Sequence, residues 1–267
     1  MASDSRYRIG LFDSGLGGLS VLESLWKELG NIDFVYYSDL QNSPYGSLSK
    51  EKVIELSENA FRYLQGKDCK AVLFACNTAT SAAAGFLRDT HKIPIFGMEP
   101  AVKPASLSHP NKPVAIFATE LTLKEEKFKN LLDTLPKRNN YIAVPCEGLA
   151  KLIDECLLDE AWDLLNGKIL SVIKETDVFV LGCTHYVFLK ERILKHYPDV
   201  SVYEGNSGTA IHIKNVLGLN SRGQNHLEIF LNTSNEKYIH TTNLIVNKFA
   251  ENSKIVLIDL KGSERHV

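Results

Sequence analysis

The chain has 267 residues, 44% of them hydrophobic and 23% charged, and a formal net charge of −2. That length suffices for one large or two modest domains with proper cores, and the charge excludes bulk electrostatic attraction to nucleic acid. No apolar stretch approaches the roughly 20 residues that span a bilayer, the start from Met1 to Arg8 is polar with no apolar leader core, and five cysteines (69, 76, 146, 156 and 183) without framework spacing read as reduced thiols of a cytoplasmic protein.

In chain order, Ile9–Phe12 reads as a short strand, Asp13-Ser14-Gly15-Leu16-Gly17-Gly18 as a tight glycine turn, and Leu19 to Leu29 as a helix stopped by Gly30. Phe34–Tyr37 is a second strand, followed by a loop from Asp39 to Ser47. Ser49 is then a plausible N-cap, with Glu51 in the first turn, for a helix whose Val53, Leu56, Ala60 and Leu64 share a face. An apolar strand ends at Ala75-Cys76, a small-residue helix runs from Thr80 to Leu87, and Ile93–Met98 is a further strand. The alternation argues for a parallel sheet with helices on both faces.

The pattern restarts at the strand Val114–Ala118, with Thr119 and Thr122 in the turn and a helix from Leu123 to Leu135. The strand Tyr141–Val144, a helix from Glu147 to Leu165 with a continuation in pieces to Ile173, a second cysteine strand (Val178 to Gly182-Cys183) and the strand Val200–Tyr203 follow. The tail adds helix 209–217, strand 227–231, helix 235–250 and strand 255–258. Asp13 and Cys76 lie 63 positions apart, Thr119 and Cys183 lie 64 apart. The matched spacing favours two related α/β lobes with a cleft between them over two ordinary βα units of one domain. Their boundaries are expected at 1–98 plus 207–267 and at 99–206.

Apolar parallel strands carry ligands at their carboxyl ends, and both such ends here carry a thiol. A single free cysteine is usually core filler. Two on matched scaffolds suit a pair of acid/base groups facing one substrate from opposite sides, as inversion of a stereocentre requires. Each cysteine is expected near a helix start, where backbone N–H groups favour a thiolate. Asp13 and His185 stand beside the two thiols as proton partners; taken singly, each also reads as an ordinary turn residue. Cys76, Cys183 and His185 lack the ligand count and spacing of a zinc site, and a disulfide between the two thiols does not suit a reducing compartment. The glycine turn lacks a Walker lysine and the dinucleotide spacing. A cysteine hydrolase built on Cys183 and His185 would leave Cys76 idle.

Five segments together carry a resemblance: Asp13–Gly18, Pro44-Tyr45-Gly46, Ala75-Cys76-Asn77-Thr78-Ala79, the Ala118-Thr119 and Thr122 turn, and Leu181-Gly182-Cys183-Thr184-His185-Tyr186. Over nearly its full length the chain resembles the glutamate racemases of the cofactor-independent aspartate/glutamate racemase superfamily. The resemblance implies an α/β fold of two pseudo-symmetric lobes, each a mostly parallel sheet flanked by helices, with the active site in the cleft between them. It implies Cys76 and Cys183 as the two catalytic acid/bases, assisted by Asp13 and His185 respectively. Ser14, Pro44, Tyr45, Gly46, Asn77, Thr78 and Thr184 would hold the amino acid, with Thr119 and Thr122 lining the second lobe's side. No pyridoxal phosphate or metal is implied. The implied substrate is glutamate, and D-glutamate would feed bacterial peptidoglycan; neither membrane nor direct nucleic-acid contact is expected, and a homodimer is the commonest closed assembly. Aspartate racemisation and a catalytically silent amino-acid binder are the alternatives. The chain departs from the family's pattern at Asn42, where a basic residue is usual, at Val187 after His185-Tyr186, and at Glu204, where Asp is common. The accessory acid falls on Asp154, or on Glu155 if the alignment slips by one.

Overall fold

Strands that are apolar on both faces need cover on both faces, and this chain provides that cover twice. The computed structural model describes residues 6–136, 139–250, 254–258 and 264–266; the polar start at residues 1–5 lies outside them. The first stretch runs β1 (Tyr7–Asp13), α1 (Gly18–Glu28), β2 (Ile32–Ser38), two 3₁₀ turns (Leu40–Asn42 and Tyr45–Ser47), α2 (Lys50–Gly66), β3 (Ala71–Phe74), α3 (Asn77–Thr90), β4 (Ile95–Gly97) and α4 (Val102–Ser108). The second runs β5 (Val114–Ala118), α5 (Glu120–Lys124), α6 (Glu126–Asp133), β6 (Tyr141–Pro145), α7 (Leu149–Asp154), α8 (Leu158–Val172), β7 (Val178–Leu181), a 3₁₀ stretch (Thr184–Leu189), α9 (Lys190–His196) and β8 (Ser201–Tyr203). The tail contributes α10 (Asn206–Leu217), β9 (His226–Leu231), α11 (Glu236–Val246), β10 (Lys254–Ile258) and β11 (Glu264–His266).

Two sheets result, in the orders β11-β10-β9-β2-β1-β3-β4 and β6-β5-β7-β8. Every pairing is parallel except β10 with β11. The order β2-β1-β3-β4 in the larger sheet is the order β6-β5-β7-β8 in the smaller, so the two expected lobes share one winding. In each, the chain reverses direction across the sheet between its first and third strands, which is where open α/β sheets bind ligands. Asp13 and Cys76 lie at that point in one sheet, Thr119 and Cys183 at the same point in the other.

Alternation along the strands divides the core. Leu11, Phe34, Leu73 and Ile229 face α1 and α10 on one side of the larger sheet. Phe12, Val35, Val72 and Phe74 face α2 and α3 on the other. The smaller sheet turns Phe117, Phe179 and Leu181 toward α7 and α8, and Ile116, Val178 and Val180 toward α4 and α6. Helix α2 starts as its sequence predicts: the Ser49 side chain accepts a hydrogen bond from Lys52 N at 3.2 Å. No helix among the described residues is long and apolar enough to cross a membrane.

Some boundaries differ from those the periodicity predicts. The helix expected from Glu147 to Leu165 is broken: Glu147 is outside it, α7 ends at Asp154, and α8 begins at Leu158. Cys156 takes φ 58° in the break, a left-handed conformation that no helix interior accepts. The helix expected from Leu123 to Leu135 starts earlier, capped by Thr119, and divides at Glu125. Helices α4 and α9 and strand β11 carry too few periodic positions for the sequence to announce them.

The tail is tied to the first strands by Asn225. Its amide donates to Trp26 O at 3.1 Å and Leu29 O at 2.7 Å, and its oxygen accepts from Ile32 N at 3.0 Å. One side chain thus satisfies the end of α1 and the start of β2. Asn225→Ala is expected to cost about 2–3 kcal/mol, since three half-buried hydrogen bonds are lost together. Urea unfolding followed to its midpoint checks this; a loss below about 0.5 kcal/mol would mean that water replaces the amide at no penalty.

Candidate active site

The site is built from four strand ends and one long turn. Asp13 closes β1, and the turn after it is fixed from below: Tyr36 and Ser38 hydroxyls donate to Gly15 O at 2.9 and 2.6 Å. Asp13 is fully buried. It accepts from Gly15 N at 2.9 Å and, across the two sheets, from the Thr184 hydroxyl at 3.2 Å. The glycines here answer to contact rather than to dihedral angles. A Cβ at Gly17 would sit 2.5 Å from both Thr184 Oγ1 and His185 Nδ1, and one at Gly15 would press on the Asp154 carboxylate and on His185 Nε2.

Cys76 follows β3 and caps α3, its sulfur accepting from Ala79 N at 3.4 Å and from the Ser14 hydroxyl at 3.5 Å. Asn77 begins the helix, and its buried Oδ1 has no hydrogen-bond partner among the described residues. Thr78 Oγ1 lies 3.0 Å from Thr119 Oγ1 and 3.3 Å from Thr122 Oγ1, while Thr119 and Thr122 are linked at 2.9 Å. Three hydroxyls from the two sheets therefore meet at the seam.

Cys183 follows β7 with its sulfur 3.7 Å from His185 Nδ1. The other ring nitrogen, Nε2, is 2.8 Å from Asp154 Oδ1 and carries a proton toward that carboxylate. Asp154 also accepts from Leu16 N at 2.9 Å and from the Ser43 hydroxyl at 2.6 Å. Of the two acids left open by the sequence, Asp154 belongs to the site; Glu155 turns outward toward Lys151, 3.8 Å away.

The Pro44-Tyr45-Gly46 turn is present, with its polar groups directed differently from one another. The Tyr45 hydroxyl donates to Asp39 Oδ2 at 2.6 Å. Asn42, where a basic residue was expected, donates to both Asp39 oxygens at 2.9 and 3.0 Å, and Asn232 adds a third donor at 2.8 Å. A cavity of about 330 Å³ opens beside this turn, reaching Pro44, Gly46, Thr119, Cys146, Glu147, Ala150 and Tyr186. Of the residues expected to hold substrate, Pro44, Gly46 and Thr119 line it, whereas Cys76, Cys183, Asp13 and His185 are buried behind it. Asp39, Ser43 and Asn232 were not singled out in the sequence. Their signal, polar side chains in a loop without periodicity, is indistinguishable there from ordinary surface.

A model of the Asp/Glu/Hydantoin racemase family matches residues 36–213. The chain belongs to this family. Among its relatives, a glutamate racemase of Leptospira interrogans is 50% identical over 212 residues, covering 79% of this chain and 82% of its own. One of Clostridium novyi is 40% identical over 259 residues, 95% of each chain. The crystal structure of glutamate racemase isoform RacE1 from Bacillus anthracis matches with a TM-score of 0.80 at 25% identity, over 96% of this chain and 98% of that one. The racemase fold implied by the five segments is thus the fold found.

Burial governs the charges in this racemase-family site. It pushes the Cys76 thiol up to about 12, helped by the Asp13 carboxylate, and the hydrogen bonds from Ser14 and Ala79 N do not offset it. The helix start therefore fails to make Cys76 the ready thiolate that its position suggested. Burial also raises Asp13 to about 6, against the lowering by His185 and by Gly15 N–H. Burial works against a charged His185 too, but the Asp154 charge and hydrogen bond, with Cys183, outweigh it and hold the ring well above its usual range. Asp154 lies below its usual value: burial raises it, and the His185 charge with three hydrogen bonds more than compensates.

An Asp13 that titrates near 6 folded and near 3.8 unfolded binds more protons in the folded state between those values. Stability therefore falls as pH rises from about 4 to 6, and the cost is fully present above pH 6. Asp13→Asn is expected to be more stable than wild type at pH 7 by up to about 3 kcal/mol, with the difference closing by pH 4. Urea titrations at the two pH values test this; an equal difference at both would remove the assignment of a strained carboxylate.

Proposed function

We propose that the protein is a glutamate racemase that interconverts L- and D-glutamate by proton transfer at Cα between two cysteines. The observation that carries the reading is the pair of sulfurs at equivalent strand ends of two equally wound sheets, one bonded by Ser14 within the field of the Asp13 carboxylate and the other facing His185, in a chain whose relatives are named glutamate racemases. In this reading the two lobes are residues 1–98 with 207–267, and residues 99–206.

One cysteine, as thiolate, takes the Cα proton: the C–H bond breaks, an S–H bond forms, and the electron pair stays on carbon. The other cysteine, as thiol, returns a proton to the opposite face, leaving its sulfur as thiolate. Each turnover thus exchanges the protonation states of the two sulfurs. A Cα proton is a weak acid, so the developing charge must be met by fixed dipoles in a place without water. The N–H groups of the Cys76-Asn77-Thr78 and Cys183-Thr184-His185 turns and the hydroxyls of Ser14, Thr78, Thr119, Thr122 and Thr184 supply them around the α-carboxylate. Asn77 Oδ1 is an acceptor in want of a donor, and the substrate ammonium suits it. The backbone of Tyr45 and Gly46 would meet the distal carboxylate, Gly46 from the cavity side, while the Tyr45 hydroxyl stays committed to Asp39.

Asp13 serves Cys76, and an ammonium drawn to this corner offsets the burial that holds the Cys76 proton. His185, kept cationic by Asp154, serves Cys183. No pyridoxal phosphate or metal enters this scheme. D-Glutamate made this way would supply bacterial peptidoglycan, and the enzyme would work in the cytoplasm as a homodimer.

The test is L-glutamate in D₂O with no added cofactor, following optical rotation and Cα deuterium together, with L-aspartate in parallel. Loss of rotation with deuterium at Cα is expected for glutamate. Cys76→Ala and Cys183→Ala should each lower racemisation by at least about 10³-fold, as loss of an essential acid/base does. Racemisation by either variant near the wild-type rate would sink the two-base scheme, and turnover of aspartate in place of glutamate would move the substrate.

A further inference from the structure

Asp154 is the hinge between two things that a racemase would need to coordinate: the proton partner of one thiol and the loop at the mouth of the cavity. An aspartate carboxylate turns freely about its last bond, where the preferences are broad and two-fold. Two of its hydrogen bonds, from Leu16 N and His185 Nε2, converge on the same oxygen, Oδ1. Turning about that bond moves both oxygens together, so a donor on Oδ2 restrains the same rotation from the opposite edge of the group. That donor is the Ser43 hydroxyl, at 2.6 Å and from 111 positions away in the chain, and without it the torsion rests on the Oδ1 bonds alone.

Ser43 stands next to Pro44, Tyr45 and Gly46. That segment is held at its base by Asp39, which accepts from Asn42, Tyr45 and Asn232. At its tip, Gly46 lies against the Thr119 side chain in the hydroxyl cluster. The loop therefore touches the site twice, through Gly46 on the expected substrate side and through Ser43 on the relay side.

We propose that Ser43 is a positioning residue for the reaction: its hydroxyl fixes the Asp154 carboxylate, and through it the His185 ring facing Cys183, so that the proton partner of Cys183 is set only when the Pro44–Gly46 loop is seated. This rests on the racemase reading above. Ser43 need not touch substrate. Its effect falls on the step in which Cys183 gains or loses a proton, leaving the Cys76 step alone.

Ser43→Ala and Ser43→Thr are compared with wild type. In Ser43→Ala, kcat is expected to fall about tenfold while KM moves by less than about threefold, the pattern of a group that acts in the transition state rather than in binding. Cα-deuterated L- and D-glutamate, assayed separately, give the decisive readout. Slowing only the Cys183 step makes the isotope effect on kcat/KM rise for the enantiomer deprotonated by Cys183. The effect falls for the enantiomer deprotonated by Cys76, whose turnover ends with Cys183 delivering the proton to the opposite face. Ser43→Thr, which keeps the hydroxyl, should restore both. A raised KM with unchanged kcat, or isotope effects that move in the same direction for both enantiomers, would overturn the proposal by making Ser43 a part of the loop's structure alone.

A second measurement needs no turnover. The His185 Nε2–H proton, in a charge-assisted bond to a buried carboxylate, should give a far-downfield proton resonance in wild type and Ser43→Thr, lost from Ser43→Ala. A wild type that racemises nothing while this resonance still depends on Ser43 would defeat the racemase reading and uphold the positioning role. An active enzyme whose resonance is unchanged in Ser43→Ala would do the reverse.

Discussion

The buried pair of Asp154 and His185 is the interaction on which the rest of the site depends. Taking two charges out of water costs more than their attraction returns unless the remaining lone pairs and protons are also satisfied. Here they are: the carboxylate collects Leu16 N, Ser43 and the imidazole, and the imidazole's second nitrogen faces the Cys183 sulfur. Satisfying Asp154 from Leu16 N brings the glycine turn hard against it, and that approach leaves no room for a Cβ at Gly15 or Gly17. Asp13, a few ångströms along the same turn, has amide and hydroxyl donors in place of a cation on its oxygens, and it sits high at about 6. Two buried aspartates thus take opposite positions because only one of them has an imidazolium on its oxygen. Environments that push two acids apart are what acid/base chemistry at neutral pH requires.

Sheet winding explains why these groups meet at all. Each sheet places its first strand beside its third, so helices leave on opposite faces and a crevice opens at their carboxyl ends. A residue placed two positions beyond β3 or β7 projects into that crevice whatever its chemistry, and in both sheets it is a cysteine. The seam is closed by contacts between the sheets: Thr184 to Asp13, Thr78 to Thr119, and Asp154 to Leu16. Any motion that parts the sheets to admit substrate must break these bonds, which ties access to assembly of the site.

Much of this was legible in the sequence because it is written in short-range pattern. Apolar runs of four or five residues ending in cysteine give β3 and β7, and the glycine turn after β1 is equally plain. What was not legible depends on long-range contact. Leucine and isoleucine continue at helical spacing from Leu149 through Leu165, so periodicity joins α7 to α8, and only the left-handed backbone at Cys156 separates them. Asp154 and Glu155 carry the same chemistry one position apart. A rotation of about 100° along the helix sends one inward and the other to Lys151. Asn42 reads as a missing cation until Asp39 is seen to be served by neutral donors instead. The helix-start argument for a Cys76 thiolate failed on magnitude: one turn of helix dipole contributes about 1 kcal/mol at most sites, less than the burial of a full charge takes away.

The two thiols are therefore unlike each other, one held by a hydroxyl and a backbone amide, the other faced by an imidazole that a carboxylate keeps charged. For most enzymes such asymmetry would signal a preferred direction. For a racemase it cannot. Mirror-image substrates have equal free energies in water, so the equilibrium constant is one and kcat/KM must be the same from either side. A weakness at either sulfur lowers both directions equally. The asymmetry is free to appear only in how each enantiomer divides that ratio between kcat and KM, and in which proton transfer limits the rate. In the two-base reading, an environment built around one buried ion pair, rather than two matched ones, is consequently sufficient: it needs to desolvate a single pair, and it would leave the second sulfur to be set by the charge that the substrate itself brings.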